Sequence, residues 1–226
     1  MTKDRLAIVR IVDDNDEYRN SETFLLRMFG YNVADYSSAL DFLEKDDPAI
    51  PGCLILDVKM PEMSGLELQK VMTEKELGLP IIFLTGHGDV EMAVNTLHRG
   101  ASDFLLKPVA PERLKESVAR AIEADRNNRA KKRIQEEAKE KYNQLTEREK
   151  DVCRLVVKGL LNKQIAIELG ISEHTVKVHR ASIKYKLQVQ TLVDLVNLVQ
   201  QVNAKSSRVS LSFSEHPLTP PPVPIW

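Results

Sequence analysis

Three acids and one base, Asp13, Asp14, Asp57 and Lys107, each stand where a run of apolar residues stops. Carboxylates gathered in this way could hold a hard cation and, beside it, a phosphate group. The stretch Cys53-Leu54-Ile55-Leu56 is the key case. Four apolar residues after Pro51-Gly52 are too few for a helix and read as a strand buried on both faces. Asp57 ends that strand, and Pro61 turns the chain into a loop. An aspartate that merely caps the next turn is the alternative reading of this stretch alone. In an open parallel sheet, however, ligands and chemistry sit at the carboxyl ends of the strands. Two bare carboxylates about 4 Å apart repel by ~4 kcal/mol at an effective dielectric near 20. Such a cluster must therefore take up protons or bind a cation. Hard oxygen donors favour Mg2+, which usually takes one or two carboxylates and leaves positions for water and phosphate oxygens. Lys107 reaches the same edge and offsets part of the charge.

Short apolar runs at 6–12, 33–36, 53–56, 80–85 and 103–106 alternate with helical patterns that would position these groups. The first helix spans 17–29, with Phe24, Leu25, Met28 and Phe29 at helical spacing. Ser38 caps a second helix carrying Leu40, Phe42 and Leu43. Further helices span 64–77 and 90–99, and Pro111 opens a fifth at its first turn. The alternation predicts an α/β fold, a (βα)5 doubly wound, flavodoxin-like parallel sheet. In the strand order 2-1-3-4-5, strands one and three are neighbours, so Asp13, Asp14 and Asp57 meet.

The second half is different in charge. Residues 1–124 carry 14 Lys and Arg against 22 Asp and Glu, or −8, whereas 125–202 carry 16 against 10, or +6. That asymmetry suggests two modules, the second facing a polyanion. From 112 to 143 there is neither Gly nor Pro, and the charged stretch 125–143 reads as a solvent-exposed helical linker. Its apolar stripe is thin: Ile134, Ala138, Tyr142 and then Leu145. Thr146 and Glu149 form a capping box that opens a four-helix module over 144–202. Its helices span 147–158, 162–170, 172–187 and 191–202, with Val152, Leu155, Val156, Ile165, Ala166, Leu169, Val176, Ile183 and Leu187 inward. The last helix points Leu192, Leu195, Val196 and Val199 the same way. Residues 203–226 are rich in Pro and Ser, have no periodicity, and read as a disordered tail. Cys53 and Cys153 read as small core hydrophobes in a reducing compartment. No apolar run approaches the ~20 residues of a membrane span, and Met1–Arg5 carries no signal-peptide apolar region, so a cytoplasmic protein with no membrane partner is expected.

The ordered set Asp13-Asp14, Asp57, Thr85 and Lys107-Pro108 resembles the receiver domain of two-component response regulators, over about residues 5–124 of a module spanning 1–124. That resemblance implies that Asp57 accepts a phosphoryl group from a sensor histidine kinase. It also implies that Asp13, Asp14, Asp57 and the Lys59 backbone carbonyl hold Mg2+, that Thr85 and Lys107 bind phosphoryl oxygens, and that the Lys107-Pro108 bond is cis. Phe104 stands where many receivers have a switch tyrosine, so no hydroxyl acts there. Arg10, charged inside an apolar strand, has no partner legible in the sequence. His87, between Gly86 and Gly88, reads as a surface histidine.

The second module resembles the LuxR-type helix-turn-helix domain of the NarL/FixJ subfamily. By that resemblance the 172–187 helix enters the major groove, with Lys177 and Val178 at base edges and Thr175 beside them. Arg180, Lys184, Lys186 and Lys163 then meet phosphates, and the last helix is a dimer surface with Asp194 and Asn197 among its polar positions. The whole reads as a phosphorylation-controlled transcriptional regulator, not an enzyme beyond its own phosphotransfer and dephosphorylation. Its partners would be a sensor kinase, double-stranded DNA and a second copy of itself on phosphorylation, with RNA polymerase as a further candidate. Two alternatives are a sigma-like promoter-recognition factor and an aspartyl phosphohydrolase. The first lacks a polymerase-binding helical domain, and the second commonly needs an acid where Lys59 stands.

Overall fold

A computed structural model of the chain describes residues 7–86 and 90–204. The strand start at Leu6, the loop residues His87 and Gly88, and the tail from 205 onward lie outside the described residues. The chain divides into two compact units, the first ending at Ala121 and the second beginning at Ile122.

In the first unit, β1 (Ile8–Val12), β2 (Asn32–Tyr36), β3 (Gly52–Leu56), β4 (Ile81–Thr85) and β5 (Asp103–Leu106) pair in parallel in the order β2-β1-β3-β4-β5. The helices α1 (Asp16–Met28), α2 (Ala39–Lys45), α3 (Gly65–Glu74) and α4 (Val90–His98) alternate with them, and α5 (Pro111–Asn143) follows β5. Every residue of β3 and β4 is buried, as helices covering both faces of a parallel sheet require. Side-chain caps set where the helices begin. Asn15 accepts from the backbone of Glu17 and Tyr18 at the start of α1, and Ser64 and Glu67 form a capping box on α3.

The inward face of α1 differs from the sequence expectation. Phe24 and Met28 are 66% and 69% exposed, and Glu22, Thr23 and Leu26 are buried instead. Residues 22, 23 and 26 recur at the same helical spacing as 24, 25 and 28. Hydropathy favours the more apolar stripe, but packing against β1 and β2 turns the other one inward. In α2 likewise, Ala39 and Phe42 are buried while Leu40 is exposed.

Arg10, unplaced by sequence, is fully buried. Its Nε donates to both oxygens of Asp46 at 2.9 and 3.1 Å. Nη1 donates to the carbonyls of Ile8 and Pro51, and Nη2 to those of Asp47 and Ile50. One guanidinium thus ties down the loop that feeds β3. Such a charge is tolerable only because every edge of it is hydrogen-bonded.

The second unit packs α6 (Glu147–Val157), α7 (Asn162–Leu169), α8 (Glu173–Leu187) and α9 (Leu192–Asn203) around Val152, Cys153, Val156, Ile165, Val176, Ile183, Leu187, Leu195 and Leu198. In α9, Leu192 is exposed and Leu198 takes the inward place expected for it. The end of α5 and the turn after it also contribute: Ala138 and Leu145 are buried in this core, and Tyr142 packs against it. Of the stripe expected on an exposed linker, Ile134 is exposed and the other three residues serve as core. Gly170 closes α7 at φ 64°, a left-handed conformation that glycine adopts without steric cost, and Ser172 then caps α8.

Candidate functional site

Strand register builds the first site. Val12 pairs with Leu56, and the backbone N–H of Asp57 donates to the Val12 carbonyl at 2.9 Å. Asp13 and Asp57 therefore leave neighbouring strands side by side. On the far side Thr85 pairs with Leu106, and the Lys107 N–H donates to the Thr85 carbonyl at 2.9 Å. The Lys107-Pro108 bond is cis. Across this edge the Lys107 Nζ donates to Asp13 Oδ2, and at 3.0 Å to Asp57 Oδ1. The second oxygen of Asp57 accepts from the Lys59 backbone N–H at 2.7 Å, and Asp13 Oδ1 accepts from Asn15 at 2.9 Å. Gly65 permits the loop to close, since a Cβ there would lie 2.1 Å from the Asp57 carbonyl oxygen.

Asp13, Asp57 and Thr85 are buried. Burial pushes the Asp57 carboxyl above the usual carboxylate range, against the pull of Lys107. The Lys107 ammonium is also disfavoured by burial, but its hydrogen bonds to Asp13 and Asp57 outweigh this and hold it above the usual lysine range. Of the three acids expected together, the structure joins two: Asp14 is exposed and stands outside the Asp13–Lys107–Asp57 bridge. Phe104 packs on Phe83 with ring centroids 6.3 Å apart.

Two residues of α1 join this site unannounced by the sequence reading. The Lys107 Nζ lies 4.7 Å from the ring centroid of Tyr18, a cation–π contact. One turn on, Glu22 is buried with Oε2 lacking a hydrogen-bond partner. Its carboxyl is pushed up to about 7, chiefly by burial, with Lys107 opposing and the charges of Asp13 and Asp57 reinforcing. Tyr18, Glu22 and Leu26, each four residues apart, were the available signal.

The second site is the outer face of α8, where Lys177, Val178, Ala181 and Lys184 are exposed; Lys163, near the start of α7, is exposed too. Three other expected contacts are engaged within the unit. Thr175 shares a 2.8 Å hydrogen bond with Ser172 at the cap, and Arg180 Nη1 donates to Asn162 Oδ1 at 3.0 Å. Lys186, expected at phosphate, instead donates to Glu149 Oε2 at 2.7 Å, and Ser182 donates to Oε1 at 2.6 Å. The reason is a partner invisible in the α8 pattern, for Glu149 belongs to α6. Burial would raise the Glu149 carboxyl, but the hydrogen bonds from Lys186, Ser182 and Thr146 outweigh it and hold it down to about 2.

Comparison with known proteins finds a family match in each half of the chain. The response regulator receiver domain matches residues 9–119, and the luxR family of bacterial regulatory proteins matches 143–199. The response regulator protein TodT of Pseudomonas putida is 42% identical over 199 residues, covering 88% of each chain. The chain is a response regulator of the NarL/FixJ family. The transcriptional regulatory protein FixJ of Azorhizobium caulinodans is 38% identical over 194 residues, 84% of this response regulator and 90% of FixJ. The solved structure of the response regulator StyR superimposes with a TM-score of 0.77 at 42% identity, covering 86% of this chain and 98% of that one.

This response regulator therefore controls transcription by phosphorylation, with a sensor kinase and DNA as its partners. No helix among the described residues is long and apolar enough to cross a membrane. Nor, among them, do three or more His, Cys, Asp or Glu side chains gather as a ready-made metal cage. A Mg2+ ion does not need one, because it keeps several waters and takes one or two carboxylates. The hard oxygens of Asp13 and Asp57, with two negative charges against the single ammonium of Lys107, suit that ion by their chemistry.

Proposed function

We propose that Asp57 is the phospho-acceptor of this response regulator. A carboxylate oxygen of Asp57 attacks the phosphorus of a kinase phosphohistidine, the P–N bond breaks, and the imidazole leaves to take up a proton. An acyl phosphate remains on Asp57. The supporting observation is the bridge from Lys107 to Asp13 and Asp57, which puts one cation between two buried carboxylates at a strand-end edge. Phosphoryl transfer requires positioning and charge neutralisation more than covalent help from other side chains. Lys107 would follow the phosphoryl oxygens, Thr85 would donate its hydroxyl to one of them, and Phe104 would repack without a hydroxyl of its own. Asp13, Asp57, Asp14 and the Lys59 carbonyl would hold Mg2+, which supplies neutralisation of charge on the phosphoryl oxygens. The receiver would thereby catalyse its own phosphorylation and dephosphorylation.

The phosphoryl group adds about −1.5 to −2 charge where Lys107 was already shared. Drawing Lys107 and Thr85 toward it biases the α4–β5 region, favours a homodimer, and so favours two α8 helices on paired half-sites in cytoplasmic DNA. In that complex Lys177 and Val178 would read base edges from beside Thr175. Lys163 and Lys184 would meet phosphates, joined by Arg180 once it leaves Asn162, and a bound RNA polymerase is the downstream partner. Acetyl phosphate with Mg2+ tests the scheme: wild type should gain mass and dimerise on a sizing column, and Asp57→Asn should do neither. A variant that dimerises as fully as wild type would remove Asp57 from its role.

A further inference from the structure

The outward face of α8 carries one aromatic residue that the proposed readout leaves unused. The helix is held inward by Val176, Ile183 and Leu187. At about 100° per residue, the direction opposite that stripe passes through Val178 and Tyr185. Tyr185 is 86% exposed, and Val178 is 54% exposed. The two are seven residues apart, which is about two turns and roughly 10 Å along the axis. Ala181 lies between them on the same face, and Lys177 and Lys184 run alongside at the same spacing. A single exposed apolar residue is ordinary on a protein surface. This one is distinguished by its place at the centre of the groove-facing side of the helix, with its ring outside the hydrophobic core of the unit.

We infer that Tyr185 is a phosphate-contacting residue, its hydroxyl donating to a DNA phosphate oxygen at the rim of the major groove. The inference rests on the reading of α8 as the groove helix. In helix-turn-helix proteins the N-terminal residues of that helix meet the bases. The groove is about 12 Å wide, so a side chain two turns further along has reached the flanking sugar–phosphate strand. Tyrosine hydroxyls are among the groups that position a protein there. The ring has only two rotatable angles to fix, and the small Ala181 leaves its approach open. Because the phenol is neutral, it adds affinity without releasing counterions.

That neutrality supplies the test. Binding of the phosphorylated full chain to a mixed-sequence duplex of about 30 base pairs would be measured across a salt series. Tyr185→Phe should weaken binding about 3- to 10-fold, the range for one hydrogen bond. The slope of log affinity against log salt should stay unchanged, whereas Lys184→Ala should lower it by about one. Thermal unfolding of Tyr185→Phe should match wild type, since the ring is exposed. Equal affinity for Tyr185→Phe and wild type would overturn the inference, including the case where only Tyr185→Ala weakens binding. Lys177→Ala and Val178→Ala separate the two levels. If they weaken binding while Tyr185→Phe does not, only the tyrosine assignment falls; if none of these variants matters, the groove-helix reading falls with it.

Discussion

The two units handle functional charge in opposite ways. In the first, charges are buried and arrive from distant parts of the chain: Lys107 meets Asp13 across 94 positions and Asp57 across 50. In the second, Lys177 and Lys184 lie about two turns apart on one helix and face solvent. A buried cluster must neutralise itself when no ligand is present, which is why one ammonium bridges two carboxylates. An exposed row is screened by water and needs no internal partner. The first arrangement responds to a small change in charge, and the second offers a surface to a large polyanion.

Replacing the most deeply buried charge would break the contrast hardest. Arg10→Met leaves Asp46 buried without its cation and frees the loop before β3. A loss of about 3–5 kcal/mol is expected by urea unfolding of the receiver unit. A loss below about 1 kcal/mol, the worth of an exposed pair, would mean the guanidinium is solvated after all.

Glu22 sharpens the same point through pH. Its folded value of about 7 lies above that of an unfolded glutamate. The folded state therefore carries no penalty below the unfolded value, and the penalty grows as pH rises toward 7 and is full above it. Glu22→Gln removes the ionisation, so its stability relative to wild type should be greater at pH 8 than at pH 4 by on the order of 3 kcal/mol. A pH-independent difference would show a hydrated carboxyl.

The smallest effect tests the exception in the second unit. Lys186→Ala should cost about 1–3 kcal/mol of stability through Glu149, while leaving the salt slope of DNA binding unchanged. Since Glu149 is held near 2, that contribution is present above the ordinary glutamate value and fades as pH falls toward 2. A slope lowered by one with stability intact would return Lys186 to the phosphate contacts.

Much of the fold was legible because its signals are local. The strand ends at Asp13, Asp57 and Lys107 and the caps at Ser38 and Thr146 follow from a few adjacent residues. The misreadings share one cause. The α1 stripe of Phe24 and Met28 and the Leu192 position on α9 each depend on what lies across from the helix, as does the unforeseen pairing of Lys186 with Glu149, and periodicity carries no information about the opposing surface.

By itself the sequence determined the order of strands and helices, the acidic and basic halves, and which residue types end each strand. Only the tertiary structure decided that Asp14 stays outside the bridge, that Arg10 clamps the loop before β3, and that Tyr18 and Glu22 crowd Lys107. Local propensity acts over a few residues, whereas these partners are fixed by the register of strands and the rotation of helices about their own axes. Those quantities exist only once the chain has packed.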